Sequence, residues 1–197
     1  MNKKKILICG DSFAADWTIK YTELTGWPNL FDKTYEVTNL AQAGCCEYKI
    51  YLQLKSVDIN NYDIILVSHT SPYRIYVKEH PVHNNNILHK NSDLIYPDLK
   101  EHSKTNRELD SIIDFFEKYF DENYAKFTHN LICKEIDLML QYYNGNVIHI
   151  TNLYWKDLYQ FDNMINFEFL FKKHRGLMNH YTNEGNQIIF NTINNLL

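Results

Sequence analysis

Lys5-Ile6-Leu7-Ile8-Cys9-Gly10-Asp11-Ser12 opens with an apolar run and stops on three residues of a different character. The run is short, carries β-branched members and lacks the alternation of a half-exposed strand. It therefore predicts a strand buried on both faces, as in a parallel sheet covered by helices. Gly10 bounds the strand, so Asp11 and Ser12 fall at its C-terminal tip. The next segment, Phe13 to Tyr21, has helical composition and predicts a helix that starts directly from that tip. Ligands of an open parallel sheet bind outside the carboxyl ends of its strands, which makes Ser12 the first candidate for chemistry.

Working outward, the pattern predicts a strand at Tyr35 to Leu40, a helix at Glu47 to Ser56 and a strand at Tyr62 to Ser68. Helices are expected at Arg107 to Phe120 and Tyr124 to Tyr143. A turn at Asn144-Gly145 and a strand at Asn146 to Thr151 follow. Phe167 to Phe171 is a candidate last strand, and an amphipathic helix begins near Asn183. Alternating strands and helices predict one α/β domain over residues 1–197, a three-layer α/β/α sandwich with a mainly parallel, flavodoxin-like sheet. Between His69 and about Lys104 no period is evident, and the polar stretch with Pro72, Pro81 and Pro97 reads as an insertion or lid.

Composition narrows the function. The 197 residues carry a net charge of -4 with both signs mixed along the chain, which lacks the basic stripe that nucleic acid requires. No stretch approaches the length of a membrane span, and the apolar run after Lys3-Lys4-Lys5 ends at Gly10, too short for a signal-peptide core. The cysteines Cys9, Cys45, Cys46 and Cys133 form no C-x-x-C, so reduced thiols and a cytoplasmic location are expected. His80, His83 and His89 lie in an Asn-rich segment with no two-ligand pair at helical spacing, and no metal or other cofactor is expected. Oligomeric state is left open.

A Gly-Asp-Ser tripeptide arises by chance in roughly one chain in twenty of this size, so its weight comes from its place at the first strand tip and from what accompanies it. Gly10-Asp11-Ser12 resembles the first block of the GDSL or SGNH hydrolases. Asn39-Leu40-Ala41-Gln42-Ala43-Gly44 is similar to their second block, with Ala41 in place of its first glycine. Asn179 to Asn186, NHYTNEGN, resembles the block in which the base histidine leads into the last helix. The resemblance implies Ser12 as nucleophile, His180 as base, and an oxyanion hole made of the backbone N–H groups of Ser12 and Gly44 with Thr70 as a third candidate donor.

Two positions depart from that family. Its oxyanion asparagine falls at Thr70 in the stretch Ser68-His69-Thr70-Ser71, and the acid that orients the histidine falls at Leu177. Asp157, Asp162 and Glu168 are the nearest upstream acids. The resemblance then implies a serine esterase acting on a small O-acyl ester, acetylated carbohydrate included, through a Ser-His dyad or incomplete triad. Other readings stay open: an acyltransferase, a binding or regulatory module that has lost catalysis, or a phosphate binder using the first loop. Ser12 also suits a plain helix N-cap, and His180 a loop residue before a helix capped by Thr182 or Asn183.

Overall fold

The computed structural model describes residues 3–21, 23–176 and 180–197. Five parallel strands form the central sheet: β1 (Lys5–Gly10), β2 (Glu36–Asn39), β3 (Ile64–Ser68), β6 (Asn146–Thr151) and β7 (Met164–Asn166). Their spatial order is β2-β1-β3-β6-β7. The chain steps from β1 to β2 in one direction and then crosses to β3 on the other side of β1, so the order reverses at the β1/β3 junction. This is the topological switch point at which open α/β sheets open a ligand crevice.

The period-2 alternation of β1 and β3 divides two apolar cores between the two faces of the sheet. Ile6, Ile8, Ile64 and Leu66 pack on one side with Trp27 of α1 (Trp27–Leu30) and with Ile189 and Ile193 of α7 (Asn183–Asn194). Leu7, Cys9, Ile65 and Val67 pack on the other with Ile50 and Leu54 of α2 (Glu47–Lys55) and Ile136 and Leu140 of α5 (Glu122–Leu140). Helices thus cover both faces, which is why β1 reads as a continuous apolar run.

Two expected elements differ. Phe13 to Tyr21 is not an α-helix: it forms turns and a single 3₁₀ turn at Trp17–Ile19, because carboxylates compete for its amides. Asp11 Oδ1 accepts from the Phe13 amide and Asp16 Oδ1 from the Thr18 amide, an alternative to helical pairing. Phe167 to Phe171 is not the last strand. That strand is β7, and residues Glu168–Lys173 form α6, with Phe167 buried and Phe169 outward.

The segment after β3 is folded onto the body. A two-stranded antiparallel ribbon, β4 (Arg74–Ile75) with β5 (Leu94–Ile95), precedes α3 (Tyr96–Ser103), and α4 (Asp110–Lys118) follows. Asp93, fully buried, fastens the ribbon by accepting from the amides of Cys46 and Val77 and pairing with Lys49 at 2.8 Å. Among the described residues no helix is long and apolar enough to cross a membrane.

Candidate active site

Ser12 sits just beyond the tip of β1, where Gly10 makes a close approach to β3. A Cβ at Gly10 would lie 2.7 Å from Ser68 Cβ and 2.8 Å from its carbonyl oxygen, so this turn needs glycine. The turn is pinned from three sides. Asn39 Nδ2 donates to the Ala14 carbonyl, joining the loop after β2 to the loop after β1. The Trp17 indole donates to the Ser12 carbonyl at 2.8 Å. Asp11 accepts from the Phe13 amide, from the Thr70 hydroxyl at 2.9 Å and pairs with Arg74 at 3.2 Å.

Burial pushes the Asp11 carboxyl up, and Arg74 and these donors act against that push. Asp11 is a fully buried locking residue of the Ser12 turn.

Ser12, Gly44 and His180 line one cleft of about 430 Å³, together with Arg74, Arg175 and Asp93. Gly44 holds a left-handed φ of 74°, and a Cβ there would stand 2.5 Å from Ser92 Oγ. Both facts select glycine. Among the described residues, the backbone N–H groups of Ser12 and Gly44 donate to no other protein group, which leaves both available to a ligand.

His180 precedes α7, whose N-cap is Thr182, with its hydroxyl accepting from the Gly185 amide at 3.2 Å. The turn is held by Tyr181, whose hydroxyl donates to Asn152 Oδ1 at 2.9 Å, while Asn152 Nδ2 donates to Ser68 Oγ. The His180 ring stands 4.3 Å from Trp17 and 5.2 Å from Phe13, measured between centroids. An apolar wall therefore backs the imidazole.

Thr70 stands elsewhere. It does not line the Ser12 cleft, its hydroxyl proton is committed to Asp11, and its amide donates to Glu47 Oε2 at 3.1 Å. None of the three upstream acids lines the cleft either. Glu168 pairs with Lys172 along α6, Asp157 lies beside Trp155 in a separate depression, and Asp162 lies near Asn146 at the opening of β6. Leu177 and Asn179 lie outside the described residues. The acids that do line the cleft are Asp93 and Asp98, both from the segment that the sequence leaves without a period.

Sequence reasoning missed a buried network behind the cleft. Glu47, at the start of α2, sits 2.6 Å from His69 Nδ1 and 3.3 Å from His129 Nε2, and His69 Nε2 meets His149 Nδ1 at 2.9 Å. Burial opposes ionisation of Glu47, but His69 and His129 pull its carboxyl far below the usual range. The His149 ring stacks on Phe161 at 3.9 Å, and burial lowers it strongly. The only sequence signal for this network is polar residues placed where the apolar pattern expects core. Glu47 and His129 also border a largely aromatic cavity of about 590 Å³, which shares Arg74 with the Ser12 cleft.

All four cysteines are free and buried. Compared with known proteins, the chain matches no family model, and no curated protein matches it.

Proposed function

We propose that this chain is a serine ester hydrolase of SGNH type, built on a flavodoxin-like sheet and acting on a small O-acyl ester. One observation carries the reading: Ser12, Gly44 and His180, brought from both ends of the chain, line one cleft at the switch point of a parallel sheet. Ser12 Oγ attacks the ester carbonyl carbon while His180 accepts its proton. The carbonyl electron pair becomes an oxyanion held by the Ser12 and Gly44 amides. His180 returns the proton to the departing alkoxide, and a water deprotonated by the same imidazole then releases the acid and restores Ser12.

The oxyanion hole of this reading has two donors, since Thr70 serves Asp11 instead. The buried free thiols suit a reducing, cytoplasmic setting.

Incubation with a fluorophosphonate and mass mapping of the adduct tests the reading. Labelling at Ser12 that disappears in His180→Ala, with turnover of p-nitrophenyl acetate above a Ser12→Ala control, supports it. A folded protein that forms no adduct and turns over no ester is instead a binding module on the same fold.

A further inference from the structure

α5 covers the sheet with one face and carries a second apolar stripe on the opposite one. Its inward side, His129, Cys133, Ile136 and Leu140, is buried. Its outward side carries Tyr124, Phe127, Leu131 and Leu138, each between 45% and 69% exposed. The outward face of a helix laid on a globular body is ordinarily polar. α7, which covers the other face of the same sheet, follows that rule: its exposed residues include Asn183, Glu184, Gln187 and Asn191.

The outward stripe has the spacing of a seam between paired helices. Tyr124, Leu131 and Leu138 recur every seven residues, and Phe127 and Lys134 stand three residues after the first two. Apolar surface continues beyond the helix. Tyr48 of α2, Phe115 of α4 and Tyr119 are exposed and line one aromatic cavity together with Tyr124. Contiguous exposed apolar surface of this kind marks an interaction site.

We infer that this face is the interface of a two-fold homodimer in which α5 pairs in parallel with its own copy. The charges on the face select that occupant. Lys134 falls in the seam and Glu135 on its flank, and among the described residues neither has an ionic partner within the chain. In a parallel helix pair, a residue at the seam position of Lys134 packs against its own counterpart and against the residue that follows it. Lys134 therefore meets Glu135 of the partner subunit, and the two-fold axis repeats the pair on the other side. The lysine stem lies over the seam while its ammonium reaches the carboxylate. Leu131 and Leu138 meet their own copies. One lysine in such a seam costs stability and fixes register.

A specific dimer buries about 800 Å² per partner. A helix face about 28 Å long and 10 Å wide presents less than that, so the flanking aromatics of α2 and α4 belong to the interface as well. A lipid surface fits this face less well. The helix begins with Asp121 and Glu122, and the outward face carries both signs of charge, whereas helices that lie on membranes are rich in Lys and Arg along their polar side.

Sedimentation equilibrium across a dilution series tests the inference, and its readout does not involve Ser12. A reversible dimer is expected. Leu131 is half-exposed, so Leu131→Lys should keep the circular dichroism of the wild type while weakening association at least tenfold. Lys134→Glu sets like charges against each other and should also weaken association at least tenfold. Adding Glu135→Lys to it should restore the dimer, which a merely structural role would not do. Because the native cysteines are buried, Leu131→Cys and Leu138→Cys can each be oxidised selectively. Both should cross-link to their own copies, since a disulfide requires Cα atoms within about 7 Å and an antiparallel pair meets that at only one of the two positions. A wild-type monomer up to the solubility limit, whether or not it binds phosphatidylcholine vesicles, overturns the inference. So does a dimer indifferent to both Leu131→Lys and Lys134→Glu, or cross-linking at fewer than both cysteine positions.

Discussion

Thr70 donates its hydroxyl proton to Asp11 Oδ2 at 2.9 Å, so the side chain at the expected oxyanion position is tied to the turn that carries Ser12. Thr70→Val leaves a fully buried carboxylate one donor short, which costs about 1–3 kcal/mol. Removing a true oxyanion donor lowers kcat by about 10²–10³. In Thr70→Val the denaturation midpoint should fall while kcat for p-nitrophenyl acetate changes less than about tenfold, and Thr70→Ser should behave like wild type. A hundredfold loss of kcat at unchanged stability would return Thr70 to the oxyanion hole.

Gly44 offers a backbone prediction. An alanine there meets both a left-handed φ, costing about 1–2 kcal/mol, and Ser92, whose Oγ would stand 2.5 Å from the new Cβ. Crowding of that kind adds about 1–3 kcal/mol. Gly44→Ala should lower stability in urea and slow ester turnover. Pairing it with Ser92→Gly should restore only the part due to crowding, and full restoration would show that the φ carries no cost.

The centre of the sheet was legible because burial on both faces leaves a plain mark: KILICG and IILVS carry polar residues only at an end, Lys5 and Ser68. The sequence order, Ser12 after β1, Gly44 in the loop between β2 and α2 and His180 before α7, singled out three residues that line one cleft. The region after Ser12 was not legible, since Asp11 and Asp16 take amides that a helix would have used, and periodicity does not register side-chain to backbone competition. In Phe167 to Phe171 the alternating aromatics mimic a strand, yet Phe167 and Phe171 are also one helical turn apart and the helix wins. The Glu47 network depends on tertiary proximity between α2, α5 and loops, which no local spacing records.

Acid should weaken the fold before any ordinary carboxylate titrates. Burial, aided by His83, holds His80 at about 4, and burial lowers His149 and His89 as well. Above the ordinary histidine value of about 6.5, neither folded nor unfolded chain binds these protons. As pH falls below it, the unfolded chain takes them up first, so stability drops by up to about 1.4 kcal/mol per pH unit for each such group. Glu47 has the depressed-carboxylate sign: its contribution is present above the ordinary glutamate value and is lost only below it. Asp11, raised by burial, works in the opposite direction. Urea midpoints should therefore be flat between about pH 7 and 8, decline from about pH 6.5 downward, and decline again above about pH 8.5, where burial keeps Cys9, Cys45, Cys46 and Cys133 protonated while the unfolded chain loses those protons. In His80→Gln the acid-side decline should be shallower, and an equal slope in both proteins removes His80 from the account.

Trp17 joins the two halves of the proposed dyad. Its indole N–H fixes the Ser12 carbonyl at 2.8 Å, and its ring lies 4.3 Å from the His180 ring. Trp17→Phe keeps an aromatic face for His180 but deletes the donor, at a cost of about 1 kcal/mol of stability. Loosening the Ser12 turn should lower kcat with little change in KM, because displacement of a reacting group by about 1 Å can cost up to about a hundredfold in rate. Trp17→Leu removes ring and donor together and should lower kcat further. The rate of fluorophosphonate labelling reads the same step without product release. If Trp17→Phe labels as fast as wild type while Trp17→Leu is slow, the ring against His180 matters and the hydrogen bond to Ser12 does not.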